Sequence, residues 1–218
     1  CNVLALTDHD VFLGLPAARK AAIEHGIHFV DGVEVSVSWD GLTIHVVGLN
    51  VDPDNAELQQ GLASVRSGRM RRAEAMAADL LRVGIADSLP GALAFASNKD
   101  MISRTHFARF LVESGKVKDI KTAFKKYLVK GKPGYVPHQW ADLNDVVNWI
   151  RNAGGRAVLA HPGRYQIGKA RMQRLLVDFK AAGGEAVEVV TSNHTPEHVI
   201  QFTRLAAAYE LLASCGSD

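Results

Sequence analysis

Apolar runs typical of strands alternate along the chain with stretches whose apolar residues recur at helical spacing. Runs such as "AVLAH" (157–161) and "LLAS" (211–214) are apolar on both faces, which suits parallel strands that helices cover on both sides. This alternation predicts an α/β barrel or a doubly wound sheet. The predicted strands are Val3–Thr7, His28–Val37, Thr43–Val51, Arg156–His161, Glu185–Val190 and Leu211–Ser214, and the helices between them are Leu15–His25, Leu143–Ala153, Ala170–Ala182 and Pro196–Ala208.

The middle of the chain lacks this alternation. From about Asn55 to Lys132 no stretch resembles a strand, and the pattern predicts helices at Ala56–Gly84 and Thr105–Val129, with glycine and proline between Gly84 and Gly91. We therefore predict one α/β domain with a helical insertion. The predicted segments are residues 1–54 (first part of the barrel), 55–132 (insertion) and 133–218 (second part).

Composition narrows the class of protein. A formal net charge of +2 on 218 residues argues against wrapping a long nucleic acid, although a local basic patch stays open. Two cysteines imply no disulfide framework and suit a reducing, cytoplasmic compartment. No apolar run approaches 18 residues, so we expect no membrane association.

Polar side chains follow several of the predicted strands. Asp8 and His9 follow the first strand, His161 ends another, and Asp218 follows the last. The carboxyl ends of barrel strands meet on one face, so these side chains converge. Glu34 and His45 lie between apolar neighbours inside strands, where an unpaired carboxylate is costly.

Each residue has an ordinary structural explanation by itself. A single strand histidine is usually a core residue, Asp10 could cap a helix that begins near Leu13, and Asp218 could be a plain terminal residue. Together the imidazoles and carboxylates favour a site for Mn²⁺, Zn²⁺ or Fe²⁺, in which a glutamate can bridge two ions. The predicted metal ligands are His9, Glu34, His45, His161 and Asp218.

Basic residues form a second group. Arg66, Arg69 and Arg72 are three residues apart and share one helical face. Such a run is usually a solvated helix face, but beside a metal cluster arginines become candidates for binding phosphate oxygens. The candidate phosphate-binding residues are Arg66, Arg69, Arg72, Arg104, His106, Lys130, Lys132 and Arg164.

The order of these motifs resembles the PHP (polymerase and histidinol phosphatase) family of metal-dependent phosphoesterases. The barrel motifs are "LALTDHD", "GVEVS", "IHVVGL", "AVLAHPGRY" and "SCGSD". The insertion motifs "ISRTHFARFLVESGKV" and "FKKYLVKGKPGYVPHQW" are similar to the branch of 3′,5′-nucleoside bisphosphate phosphatases, which is related to a 5′-3′ exoribonuclease that trims short RNA.

The resemblance implies a distorted (β/α)₇ barrel that holds up to three divalent ions, most often Mn²⁺, with Mg²⁺, Zn²⁺ or Fe²⁺ as alternatives. It implies that His9 binds one ion, that Glu34 bridges two, that His45 and His161 complete a third site, and that Asp218 binds the ion bridged by Glu34. The nucleophile would be a metal-bound water or hydroxide, with no catalytic side chain. The insertion would bind substrate, with Arg69, Arg72 and Arg104 on its phosphate.

This chain departs from the family pattern at both ends. The family opens with a strand bearing His-x-His, followed by an Asp and a helix, and it closes its last motif as Asp-x-His; these residues are absent here. We therefore expect that the first strand is missing and that the chain is truncated at both ends. We further expect the 218-residue piece to be metal-poor and weakly active or inactive.

The resemblance favours a hydrolase that removes the 3′-phosphate from nucleoside 3′,5′-bisphosphates, for example adenosine 3′,5′-bisphosphate to AMP, and that degrades short 5′-phosphorylated RNA in the 5′-3′ direction. One alternative is another PHP phosphatase, such as a histidinol phosphatase. The other is a degenerate, non-catalytic nucleotide-binding module. We expect a small nucleotide or short RNA as the binding partner, with no membrane and no obligate protein partner.

Overall fold

The computed structural model describes residues 1–137 and 139–217. They divide into two compact units: residues 1–63 with 140–217, here called the barrel unit, and Ser64–Gln139, here called the helical unit. That the predicted insertion, residues 55–132, forms a substrate-binding subdomain stays a prediction.

The described residues form seven β-strands and eight α-helices, together with short 3₁₀ and π-helical turns. In chain order they are β1 (Val3–Leu6), α1 (Leu15–Glu24), β2 (His28–Trp39), β3 (Leu42–Leu49), α2 (Ala56–Arg82), α3 (Ser88–Leu93), α4 (Arg104–Glu113), α5 (Ile120–Ala123), β4 (Ala141–Asp142), α6 (Leu143–Asn152), β5 (Arg156–Leu159), α7 (Lys169–Ala181), β6 (Ala186–Val190), α8 (Pro196–Ala208) and β7 (Leu212–Cys215). No helix among these residues is both long and apolar enough to cross a membrane.

The strands of the barrel unit form one curled sheet, a half-barrel, in the order β1-β2-β3-β5-β6-β7, with the two-residue β4 beside β2. The predicted α/β class is therefore confirmed. The expectation of parallel strands is wrong for β3, which runs antiparallel to both β2 and β5. Asp40 and Gly41 join β2 directly to β3, and both have positive φ (47° and 71°), as a type I′ hairpin turn requires.

The two faces of the sheet differ in chemistry. Val35 and Val37 of β2 and Val46 of β3 are fully buried on the face that α6 covers. Gly48 allows a close approach there, because a Cβ on it would lie 3.0 Å from a side-chain carbon of Ile150 on α6. The opposite face carries Glu34 and other polar residues, so the alternation along β2 separates an apolar core from a polar concave surface.

The helical unit has its own apolar core, built from α2, α3, α4 and the segments that follow. The prediction of one helix over Thr105–Val129 is wrong. Gly115, with φ of 69°, follows the end of α4, and Asp119 begins α5 by accepting a hydrogen bond from the Thr122 amide at 2.7 Å. A π-helical turn over Phe124–Leu128 follows α5, and α3 lies partly in the stretch expected to be only punctuation.

The hairpin turn gives a stability prediction. We expect Gly41→Ser to lower the free energy of unfolding by about 1 kcal/mol, because a Cβ disfavours positive φ. Gly168→Ser is the matched control, since both positions have open space for a Cβ but Gly168 has a φ of −69° at a helix N-cap, where serine is favoured. Urea unfolding of both variants measures the difference. Equal stability of the two variants would contradict this interpretation of the turn.

Candidate metal centre

Glu34 in the middle of β2 lies among three histidines. Its Oε1 is 2.8 Å from His45 Nδ1 and 3.0 Å from His161 Nε2, and its Oε2 is 3.6 Å from His9 Nε2. The rings of His45 and His161 also approach each other, with 3.1 Å between Nδ1 and Nε2. Four of the five predicted metal ligands therefore meet at one point. Asp218 lies outside the described residues, and its role stays a prediction.

Strand pairing in the sheet positions His9 and His45 beside Glu34. His9 follows β1 and pairs with Glu34 in a parallel bridge, in which the Glu34 amide donates to the Asp8 carbonyl at 3.1 Å. His45 pairs with Ser36 across β2 and β3, and is thus a diagonal neighbour of Glu34 on the concave face. The sequence spacing of these residues alone does not reveal this contact, since it depends on the β2–β3 register.

His161 follows β5 in an unusual conformation, with φ of 29°. Its amide donates to Glu188 Oε2 at 2.6 Å, and the residue is 3% exposed. A non-glycine residue in this region costs about 1–3 kcal/mol of strain and persists only where its surroundings hold it there. Glu188, on the concave face of β6, supplies one of those restraints.

Tyr165 provides a second restraint. Its hydroxyl accepts a hydrogen bond from the His45 amide at 2.9 Å and donates one to the Ala160 carbonyl at 2.8 Å. Burial raises the pKa of this phenol well above its usual value, so the hydroxyl keeps its proton. Tyr165 therefore ties together the backbones that carry two of the histidines.

The charge on Glu34 is set by opposing effects. Burial by itself raises the pKa of the carboxyl, but hydrogen bonds from His161 and His45 and the charge of His9 outweigh it. The net pKa lies well below the usual range, so Glu34 is ionised at neutral pH. A carboxylate in this state can bind a cation.

The donor atoms fit a divalent metal ion. Glu34 Oε1, His45 Nδ1 and His161 Nε2 form a triangle with sides of 2.8, 3.0 and 3.1 Å. Ligands about 2.0–2.2 Å from one ion are separated by roughly 3 Å, which matches this triangle. His9, Glu34 and His45 also offer ligand atoms within 4.8 Å of one another. In addition, the other ring nitrogen of His161, Nδ1, is buried without a hydrogen-bond partner among the described atoms.

Asp10 has a supporting role rather than the suggested helix-capping role. Its carboxylate is fully buried and accepts hydrogen bonds from the amide of Ser36 at 3.0 Å and from its hydroxyl at 3.4 Å. Helix α1 begins at Leu15 without a side-chain cap. Asp10 thus fixes the segment after β1, which carries His9, against β2.

The helical unit contains a cluster of three arginines, Arg69, Arg72 and Arg104, here called the arginine cluster. Burial, followed by the charge of Arg104, lowers the pKa of Arg72 to about 10; Tyr135 opposes this change and Arg69 adds to it. The Arg72 Nε donates to the Val136 carbonyl at 3.1 Å. The charges of Arg104 and Arg69 therefore repel that of Arg72, and an anion would relieve this repulsion.

The remaining predicted substrate-binding residues have different surroundings. His106 lies in the first turn of α4, where its Nδ1 accepts a hydrogen bond from the Ser103 amide at 3.0 Å, and burial together with Arg109 lowers its pKa. Lys132 is exposed in the helical unit, and Arg164 is exposed in the 3₁₀ turn after His161. Their contacts with substrate stay predictions.

Sequence reasoning missed Tyr165 and Glu188. Tyr165 is part of the "HPGRY" motif, but nothing in the motif reveals the reach of its hydroxyl to β3. Glu188 lies between valines in "AVEVV", the same signal that singled out Glu34 in "GVEVS". The strand pattern could therefore have found Glu188.

Comparisons with known proteins find phosphatases and exoribonucleases among the relatives of this chain. The chain is 53% identical over 216 residues to a 3′,5′-nucleoside bisphosphate phosphatase from Chromobacterium violaceum, covering 99% of this chain and 76% of that protein. It is 41% identical over 219 residues to the 5′-3′ exoribonuclease Rnm from Salmonella typhimurium, covering 100% of this chain and 74% of the relative. No protein-family model matches the chain.

Two solved structures resemble the whole chain. An amidohydrolase from Chromobacterium violaceum, solved with sulfate and without metal, has a TM-score of 0.91 at 53% identity and is covered over 76% of its length. A candidate metal-dependent phosphoesterase from Bifidobacterium adolescentis has a TM-score of 0.82 at 26% identity and is covered over 77%. The chain belongs to the PHP family of metal-dependent phosphoesterases, in the branch of the nucleoside bisphosphate phosphatases and 5′-3′ exoribonucleases.

Proposed function

We propose that this protein hydrolyses the 3′-phosphate of nucleoside 3′,5′-bisphosphates in a metal-dependent reaction. The observation that carries the proposal is the buried, ionised Glu34 with three imidazoles around it, since this donor set suits a divalent ion and has no role in an ordinary core. The bisphosphate phosphatase at 53% identity supports the choice of substrate.

We further propose Mn²⁺ as the ion, held by Glu34, His45, His161 and His9. A mixed set of imidazole and carboxylate ligands suits Mn²⁺, with Zn²⁺ and Fe²⁺ as its competitors. When bound, divalent ions supply positive charge against the phosphoryl oxygens and activate water for attack on phosphorus. In the net reaction, water forms a new bond to phosphorus, the bond from phosphorus to the 3′-oxygen breaks, and that oxygen leaves as a hydroxyl.

The residues of this chain keep the site ready for that reaction. Tyr165 and Glu188 hold the backbones of His45 and His161, so that their rings point at Glu34 before any ion binds. Such support fixes ring orientation and strengthens metal binding. The exposed side of the centre is at His9, whose side chain is 42% accessible, and we assign substrate entry to that side.

We assign the substrate's 5′-phosphate to the arginine cluster. A guanidinium binds two phosphate oxygens at once, and the cluster concentrates three of them. A histidinol phosphate carries a single phosphate and leaves such a cluster without a function, which favours the bisphosphate over that alternative.

A second activity follows from the same chemistry. In short 5′-phosphorylated RNA, the first phosphodiester also lies on the 3′ side of a 5′-phosphorylated nucleotide. Cleavage there would release 5′-mononucleotides in the 5′-3′ direction. Relatives at 40–41% identity named 5′-3′ exoribonuclease support this extension. A cytoplasmic location suits both substrates and the two free cysteines.

The metal centre gives the first test of this function. We expect the full-length protein to release phosphate from adenosine 3′,5′-bisphosphate with Mn²⁺ and to lose this activity with a chelator. Glu34→Gln should lower kcat/KM at least about 100-fold, because the charge that binds the ion is lost. Glu185→Gln is the matched control, since Glu185 forms an exposed ion pair with Arg156. Activity that survives both chelation and Glu34→Gln would refute the proposal.

The arginine cluster gives the second test. We expect Arg104→Ala to raise KM for the 3′,5′-bisphosphate by roughly 10- to 100-fold, which corresponds to the loss of one charge-assisted hydrogen bond. KM for a nucleoside 3′-monophosphate should change less than about twofold. Arg109→Ala, on an exposed arginine of the same helix, should affect neither substrate. An equal rise of KM for both substrates upon Arg104→Ala would contradict the assignment.

A further inference from the structure

The near-neutral net charge of the chain conceals two opposite charges. Residues 64–139 contain 15 Lys and Arg against 6 Asp and Glu, a net charge of +9. The rest of the chain contains 10 against 17, a net charge of −7. The helical unit is therefore strongly basic by itself, which is typical of proteins that bind polyanions.

Much of this charge lies in one stretch, residues 116–132, here called the lysine segment. It contains seven lysines, all exposed, and a single acidic residue, Asp119. The carboxylate of Asp119 is engaged at the start of α5, where it accepts the Thr122 amide. Within the parts of the chain that the structure describes, none of the seven lysines forms an ion pair. The lysines are Lys116, Lys118, Lys121, Lys125, Lys126, Lys130 and Lys132.

The lysine segment is held in place by its apolar residues. Val117, Ala123 and Leu128 are buried, and Phe124 and Tyr127 pack against the core of the helical unit. The Gly134 amide also donates to the Tyr127 carbonyl at 2.7 Å. The lysines therefore project from a folded surface, and binding a ligand does not require this backbone to become ordered first.

The lysine segment adjoins the arginine cluster. Arg104 Nη1 lies 3.5 Å from the Leu128 carbonyl oxygen, at the end of the π-helical turn. The Tyr135 amide donates to the Lys132 carbonyl at 2.9 Å, and the side chain of Tyr135 acts on the pKa of Arg72. The basic surface thus continues from the cluster to which we assign one phosphate, along the exposed lysines.

We propose that the lysine segment binds the phosphodiester backbone of single-stranded RNA beyond its first nucleotide. This inference rests on the proposed function, because it extends the phosphate site of the same substrate. Of the two basic groups, a mononucleotide contacts only the arginine cluster, whereas an oligonucleotide also places phosphates on the lysines. The surface would then favour RNA over a mononucleotide through contacts that carry no sequence information.

The test compares two kinds of ligand on one variant. Lys118, Lys121, Lys125 and Lys126 are replaced by glutamine together, and thermal unfolding checks that the protein stays folded. The probe is a 5′-phosphorylated, fluorescently labelled 12-nucleotide RNA. Its fluorescence anisotropy is measured in the presence of a chelator, so that the RNA is not hydrolysed during the binding measurement. The replacement Lys20→Gln with Lys169→Gln, two exposed lysines of the barrel unit, is the control.

We expect the quadruple variant to bind the RNA at least about tenfold more weakly at low salt, and the control variant to bind like wild type. The slope of log Kd against log salt should fall by about 2–3, since each phosphate contact on a single strand contributes roughly 0.7. KM for adenosine 3′,5′-bisphosphate should stay within about twofold of the wild-type value.

Three results would overturn the inference. The first is an unchanged RNA affinity in the quadruple variant, and the second is a rise of KM for the bisphosphate as large as the loss of RNA affinity. The third is a loss of affinity for polyglutamate or for anionic vesicles as large as the loss for RNA. The first would show that the lysines do not touch RNA, and the last would make the surface a general anion or membrane contact. Failure of the proposed function has a different signature, namely wild-type protein that binds RNA but does not hydrolyse the bisphosphate with Mn²⁺.

Discussion

A carboxylate removed from water and surrounded by imidazoles is the constraint on which the barrel unit depends. Leaving an ionised glutamate in a sheet interior costs several kcal/mol unless partners replace its hydration. Glu34 meets this condition through three histidines: His9 follows β1, His45 lies inside β3 and His161 follows β5. The sheet must therefore keep its register, because a slip of one residue would move Glu34 into the apolar layer under α6.

Several features of the fold serve this constraint. The Asp40–Gly41 turn fixes the β2–β3 register, and α7 holds the turn through contacts from Arg171 and Arg174 to Asp40. Tyr165 and Glu188 then fix the backbones of His45 and His161. The strained φ of His161 is tolerated because its amide and the adjoining turn are held on both sides.

Local pattern was sufficient to predict most of the fold and to single out the candidate ligands on strands. The positions of Glu34, His45 and His161 followed from polar residues in or after apolar runs, and nearly every strand and barrel helix was predicted within a few residues. The direction of β3 was missed, although "WDGL" carries the aspartate–glycine turn signal. The break after α4 was missed because its helical periodicity continues across Gly115. The contacts of Tyr165 lie beyond sequence reasoning, since they join residues 120 positions apart.

Net charge shows the same limit in a different way. A net charge of +2 for the chain argues for a small substrate, but this value is the sum of a positive charge on the helical unit and a negative charge on the barrel unit. A net negative charge attracts cations and a net positive charge attracts phosphates, so the two units favour different ligands. Composition has to be interpreted unit by unit before it bears on the ligand.

The most direct measurement of the central claim is anomalous diffraction from crystals of the full-length protein soaked in Mn²⁺. We expect an anomalous peak about 2.0–2.2 Å from Glu34 Oε1, His45 Nδ1 and His161 Nε2. The 2.8 Å hydrogen bond between His45 Nδ1 and Glu34 Oε1 would then be replaced by bonds to the ion. Crystals that keep this hydrogen bond and show no peak at Glu34, at Mn²⁺ concentrations that support phosphate release, would contradict the account.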